Sequence, residues 1–270
     1  MTVFEILNKA ENSRLLGYLF YYEKSRRFYA ELLDDIDEWE GPFIFSSHIK
    51  KGIHSIDSMW SAKFVGQRII PPDRQNLGSI LKENGLKVYD EYRLLLLSDG
   101  QCAQDDLRLA RIREDQVSTE IKNRLNKKVL DVMTLDGFKI LVFFKDGKNS
   151  FADIKKICKD DPLFGNVTGN IENFRNIKVS PGGHGIEWGE ERFISAETLR
   201  KCSDNSEITY EDIICFIKTR MTDTAETAQM LNCSRQYVNQ LTDKGRLSPV
   251  RSTPGSNLYL KSALESESYS

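Results

Sequence analysis

Residues 222–265 read TDTAETAQMLNCSRQYVNQLTDKGRLSPVRSTPGSNLYLKSALE, and their spacing predicts two short helices, a turn and a β-hairpin. Thr222 or Thr224 can cap a first helix that sets Ala225, Ala228 and Leu231 on one face. Asn232-Cys233 predicts a tight turn. Ser234 can cap a second helix whose apolar positions, Val238 and Leu241, lie three apart. Gly245 is placed to end that helix and Leu247 to pack back on it. Small Ala225 and Ala228 let the two helices approach closely, the arrangement of a helix-turn-helix. Downstream, PVRSTPGSNLYL (249–260) predicts a two-stranded wing turning at Pro254-Gly255. TYEDIICFIKTR (209–220) precedes the pair as a supporting helix, and its Thr209-x-x-Asp212 spacing fits a capping box.

The second helix then exposes Arg235, Gln236, Asn239 and Gln240, with Tyr237 near the edge. Arginine can bridge guanine O6/N7, and asparagine or glutamine can bridge adenine N6/N7. The free N–H groups at the Ser234 end suit a phosphate. Lys244, Arg246, Arg251 and Asn257 complete the candidate DNA-binding set, Arg251 lying along the backbone. Residues 230–261 hold five basic residues (Arg235, Lys244, Arg246, Arg251, Lys261) against Asp243 alone. That basic island stands in a chain of 270 residues with net charge −2. A globally basic nucleic-acid coat is excluded, and any DNA contact must come from a local patch.

This stretch resembles the excisionase-like, MerR-type winged helix-turn-helix modules. The points of similarity are Ala225…Leu231, Ser234-Arg235, Gly245-Arg246-Leu247, Val250-Arg251 and Tyr259…Leu264. It departs from them in the wing, where such families commonly carry more Arg or Lys and Arg251 stands nearly alone before Lys261. The resemblance implies double-stranded DNA as partner and a transcriptional regulator of bacterial or mobile-element origin. One such helix reads about four or five base pairs, so useful specificity implies a homodimer on a two-fold operator.

Working toward the N-terminus, residues 202–209 (CSDNSEIT) form a polar break. Before it, LDVMTL (130–135) and KILVFFKDG (139–147) predict a β-hairpin with a further turn at Asp146-Gly147. ADIKKICKD (152–160) sets Ile154, Ile157 and Cys158 at helical spacing. NIKVSPGGHGIEWGEERFIS (176–195) predicts strand, glycine turn, strand and turn, with His184 a turn residue. The order is β-β-α-β-β. Residues 128–201 resemble the small bacterial family called domain of unknown function 2442. The likeness rests on Asp146-Gly147, an Asp153-headed helix, Phe174 before a strand, Gly185-Ile186-Glu187-Trp188 and a closing Ile194…Leu199. It implies a compact α+β fold, no established chemistry, and contexts of DNA-linked regulation or toxin–antitoxin pairs.

Residues 110–128 (ARIREDQVSTEIKNRLNKK) are polar and charged, a linker or a helix with a solvated face. The expected organisation is multi-domain α+β: an N-terminal α+β domain of unknown role over 1–118, a small α+β domain over 119–203, and a helix-turn-helix domain over 204–270. In the first, Glu5 to Leu33 mixes helix formers with aromatics and receives no assignment. PFIFSSHI (42–49) predicts a strand after the Gly41-Pro42 turn. Asp73 is an N-cap candidate for a helix carrying Leu77, Ile80 and Leu81 and closed by Gly85, and Tyr89 to Leu97 predicts another short helix ended by Asp99-Gly100.

Other chemistry receives less support. His48, His54 and Asp57 fit no metal-ligand spacing and are expected as solvated surface groups. Asp99, Asp105 and Asp106, with Asp90 and Glu91, are expected as a solvated turn and strand edge, and Arg68, Asp73 and Arg74 as an ion-paired turn at the diproline. A metal-dependent enzyme using the histidines or the 99–106 carboxylates is the weakest reading, and no enzyme activity, metal or cofactor is expected. G-x-x-x-x-G-K-[ST], G-x-S-x-G, H-E-x-x-H and G-x-G-x-x-G are absent. Five cysteines with no C-x-x-C spacing argue against a disulfide framework and for a reducing, cytoplasmic setting. The N-terminus is not read as a signal peptide, and no apolar run approaches the roughly 18–20 residues of a membrane span. The alternative function is a stoichiometric inhibitor or antitoxin that binds a protein partner through residues 1–203 and uses the helix-turn-helix for autoregulation.

Overall fold

The computed structural model describes residues 1–11, 13–189, 192–202 and 210–264. The chain is mixed α and β, and it divides into two units, residues 1–123 and 124–270. The first runs β1 (Thr2–Asn8), β2 (Arg14–Tyr22), β3 (Arg27–Leu32), α1 (Ser46–Ile49), β4 (Ser55–Ile56), α2 (Ser58–Gly66), α3 (Leu77–Glu83), α4 (Glu91–Leu97), β5 (Leu107–Ile112) and α5 (Thr119–Leu125), whose last two residues belong to the second unit. Its described strands form one antiparallel sheet in the order β4-β3-β2-β1-β5.

Phe4, Ile6, Leu19, Tyr21 and Phe28 share a core with Phe64 and Val65 of α2 and Leu94 and Leu95 of α4. The alternating positions Val3, Tyr18, Phe20, Tyr22 and Tyr29 are buried as well. Strands covered on both faces carry near-continuous apolar sequence, here Tyr18 to Tyr22. At Gly17, opposite Leu32 in the β2–β3 pair, a Cβ would stand 2.4 Å from the Glu31 carbonyl oxygen and 2.7 Å from Leu32 Cα. Gly17→Ala must push these backbones apart. It is expected to cost about 1–3 kcal/mol, read as a lower urea midpoint at unchanged slope.

Three expectations for this unit need correction. Residues 42–49 are not a strand but a 3-10 turn (Phe43–Phe45) leading into α1. Phe45 and Ile49, four apart, are its buried pair while Phe43 is exposed, which is helical rather than alternating spacing. The helix α3 starts after Asn76, held at φ 65°, and not from Asp73; it does stop ahead of Gly85, at φ 68°. Arg68 is buried. It donates to the Phe64 carbonyl (3.1 Å), lies over the Phe64 ring (3.7 Å) and pairs with Asp105 rather than with its neighbours in sequence.

The second unit continues with β6 (Val129–Thr134), β7 (Lys139–Phe144), β8 (Asn149–Asp153), α6 (Ile154–Ile157), α7 (Gly165–Gly169), α8 (Ile171–Arg175), β9 (Lys178–Val179), β10 (Gly185–Glu187), β11 (Phe193–Ser195) and α9 (Ala196–Lys201). Strands β6-β7-β8 form one antiparallel sheet and β11-β10-β9 another. Val132, Val142, Ile154, Phe164, Phe174, Ile186, Trp188 and Leu199 meet in one core. The expected β-β-α-β-β order is therefore short of one strand on each side of the helices and of α7, α8 and α9. Strand β8 buries only small Ser150 and Ala152 on its inner face, so its alternation is faint in sequence. Asp153 does head α6, its carboxylate accepting from Lys156 N. His184 stands in its turn but is buried.

There follow α10 (Tyr210–Arg220), β12 (Met221–Asp223), α11 (Thr224–Met230), α12 (Arg235–Asp243), β13 (Arg251–Thr253) and β14 (Ser256–Leu260). Thr209, half of the expected capping box, lies outside the described residues. Phe216 of α10 packs on Met133, Leu135 and Leu141, the face of the β6-β7-β8 sheet turned away from the main core. Arg220 pairs with Asp131, which follows a register shift in β6.

Candidate functional site

The last core is small: Ala228, Val238, Leu241, Leu247, Tyr259 and Leu264, with Leu231 and Cys233 packed against it. It fixes α11 and α12 against a sheet of order β12-β14-β13. Ser234 caps α12, its Oγ accepting from Tyr237 N at 3.2 Å. Asn232 bends the connection at φ 50°, and Gly245 closes α12 at φ 70°.

The cap of α11 is Asp223, not Thr222 or Thr224. Its carboxylate accepts from Ala225 N (2.7 Å) and Glu226 N (2.8 Å). The two threonines are otherwise engaged. Thr222 Oγ1 meets Thr227 Oγ1 at 3.0 Å inside the fold. Thr224 Oγ1 accepts from Asn257 N at 3.0 Å and ties the start of α11 to β14. Asp223 followed three residues later by Glu226 was the available signal. The face of α11 turned inward accordingly holds Thr224, Thr227 and Ala228.

The hairpin turns at Pro254-Gly255, with Gly255 at φ 94°, and pairs Arg251 with Leu258 and Thr253 with Ser256. Its third strand, β12, pairs Met221 with Leu260 and was not expected. Fully buried Tyr259 joins the parts, its hydroxyl meeting Thr242 Oγ1 of α12 (2.9 Å) and Asn257 Nδ2 (3.2 Å).

A cleft of about 490 Å³ opens between the first turn of α11, the exposed side of α12 and the hairpin tip. It is lined by Asp223, Thr224, Ala225, Arg235, Asn239, Thr253, Gly255, Ser256 and Asn257. Of the residues singled out in the sequence, Arg235, Asn239 and Asn257 come together there. Arg235 and Asn239 are four apart, one turn of helix. Ser234, Gln236, Tyr237 and Gln240 are exposed on α12 or at its cap but do not line the cleft. Lys244 and Arg246 are exposed just past the C-terminal end of α12, and Arg251 is exposed on β13. The lining residues not foreseen are Asp223, Thr224, Ala225, Thr253, Gly255 and Ser256. Arg235 is the cleft's cation and Asp223 its anion; the rest of the lining is hydroxyls, amides and backbone.

Elsewhere, His48 packs edge-on against Trp60 at 5.0 Å, and burial lowers its pKa. His54 Nε2 lies 3.3 Å from the Ile36 carbonyl. Among the described residues, no group of three or more His, Cys, Asp or Glu could hold a metal ion. The five cysteines are free, and burial pushes the Cys158 thiol up to about 12, so it is protonated at neutral pH. No helix among the described residues is long and apolar enough to cross a membrane. The chain matches no protein-family model, no curated protein and no solved structure.

Proposed function

We propose that residues 210–264 form a winged helix-turn-helix that binds double-stranded DNA, and that the protein is a transcriptional regulator acting as a homodimer. The observation that carries this reading is the cleft: the exposed face of α12 and the tip of the β13–β14 hairpin converge on one polar surface. In this reading α12 enters the major groove. Arg235 and Asn239 take base edges on the hairpin side of the helix, Gln236 and Gln240 present amides at its crest, and the hairpin follows the adjacent backbone. Ser234 leaves the first N–H groups of α12 directed at a phosphate. A single helix reads too few base pairs for a unique operator, so two copies bind a two-fold site.

Electrostatics sets the strength. Arg235, Lys244, Arg246 and Arg251 are the exposed cations on α12, just past its end and on β13, and Asp223 shares the cleft with Arg235. A slope of about −3 to −4 in log affinity against log salt is expected per bound protomer. A gel shift on the protein's own promoter DNA tests the assignment. Arg235→Ala is expected to weaken specific binding by about 5- to 150-fold and leave the fold unchanged. Unaltered affinity in that variant would remove α12 from the interface.

A further inference from the structure

We propose that residues 34–43 of the first unit are a docking point for an arginine-bearing segment of a partner protein. The stretch reads DDIDEWEGPF: five carboxylates and no basic residue. Trp39 is 86% and Phe43 93% exposed, and no other large apolar side chain among the described residues is as bare. Exposed apolar surface rimmed by polar residues marks contact sites.

This display is built rather than loose. Ile36 is 2% exposed and sits in the core of the first unit. The Asp37 carboxylate accepts from Trp39 N (2.8 Å) and Glu40 N (2.9 Å), and Gly41 N donates to the Asp37 carbonyl (3.1 Å). A Cβ at Gly41 would stand 2.3 Å from Ile49 Cδ1, so the chain is held tight against α1 there. Phe45, two residues past Phe43, is again in the core. Two bare rings on a fixed backbone cost little conformational entropy when a partner arrives.

The chemistry of the occupant follows from what is displayed together. Glu40 and Asp35 meet Arg14, and Glu38 meets Lys50. Three carboxylates thus share two bases, and the stretch itself supplies no cation, so the surface beside the rings is acidic. A guanidinium is flat, weakly hydrated and forked, so it can stack on an indole or phenyl face while donating to a carboxylate. A lysine ammonium is a hydrated point charge and exploits the rings less. Aromatic anchors ringed by polar groups are where binding energy concentrates. None of these residues lines the C-terminal cleft, so the docking point is independent of DNA binding.

The test is titration of a labelled nona-arginine peptide with the full chain at about 150 mM salt, read by fluorescence polarisation. Nona-lysine is expected to bind about fivefold more weakly. Trp39→Ala with Phe43→Ala is expected to lower nona-arginine affinity about tenfold, while Trp39→Phe retains most of it. Both side chains are exposed, so the variants keep the wild-type melting midpoint and promoter affinity. Equal binding by wild type and the double alanine variant, or equal binding of the two peptides, would overturn the proposal.

Discussion

Arg220→Met is expected to lower the stability of the second unit by about 3–5 kcal/mol, a fall of roughly 10 °C in melting midpoint. Arg220 closes α10 and pairs with Asp131, and their side chains are only 11% and 8% exposed. Asp131 also accepts from Val132 N at 2.8 Å. It follows the register shift in β6, where the ladder steps from Val129 to Asp131 and Leu130 is left outward. A bulge of that kind re-aims the side chain behind it. Removing the guanidinium leaves a carboxylate in a buried place without its cation, which costs far more than an exposed pair is worth. Asp131→Leu together with Arg220→Met removes both charges and is expected to recover most of the loss. Urea melts of the two single variants and the double close the cycle; additive losses would show that the pair is not coupled. Because Phe216 of the same helix packs on that sheet, the lesion loosens the support beneath β12 and α11. Promoter affinity should fall only at temperatures where the unit begins to open.

What the sequence made visible tracks how regular the burial is. α12 was legible because it is short and well punctuated: Ser234 before it, Val238 and Leu241 inward, Gly245 after it. The Gly147 and Gly255 turns were legible because a positive φ there asks for glycine. β1 to β3 were not, since burial on both faces erases alternation and leaves an aromatic run that suits helix or strand equally. β12 is three residues whose partner lies more than thirty positions away, a pairing local pattern cannot show. The cleft was half legible. Arg235 and Asn239 announce themselves by type, but Thr253 and Ser256 enter only through the hairpin register. Thr224 looked like a cap because its hydroxyl suits one, and tertiary pairing with Asn257 claimed it instead.

Trp188→Ala is expected to cost the second unit about 3–5 kcal/mol. The indole is 5% exposed and makes ring contacts with Phe174 (6.3 Å) and Phe164 (5.9 Å), and its Nε1 donates to the Phe174 carbonyl at 2.8 Å. Trp188→Phe keeps most of the apolar contact but leaves that buried carbonyl without its donor. It should therefore cost less, about 1–3 kcal/mol. The order of the two melts separates packing from hydrogen bonding. The neighbouring residues are committed the same way: Ile186 is fully buried, and a Cβ at Gly185 would stand 2.1 Å from the Ile194 carbonyl oxygen. Gly185, Ile186 and Trp188 are thus accounted for by close strand approach and core filling. Below the melting transition, then, neither variant should change promoter or peptide affinity. A Trp188→Ala protein that melts like wild type but binds either one differently would make this run a site and not a core.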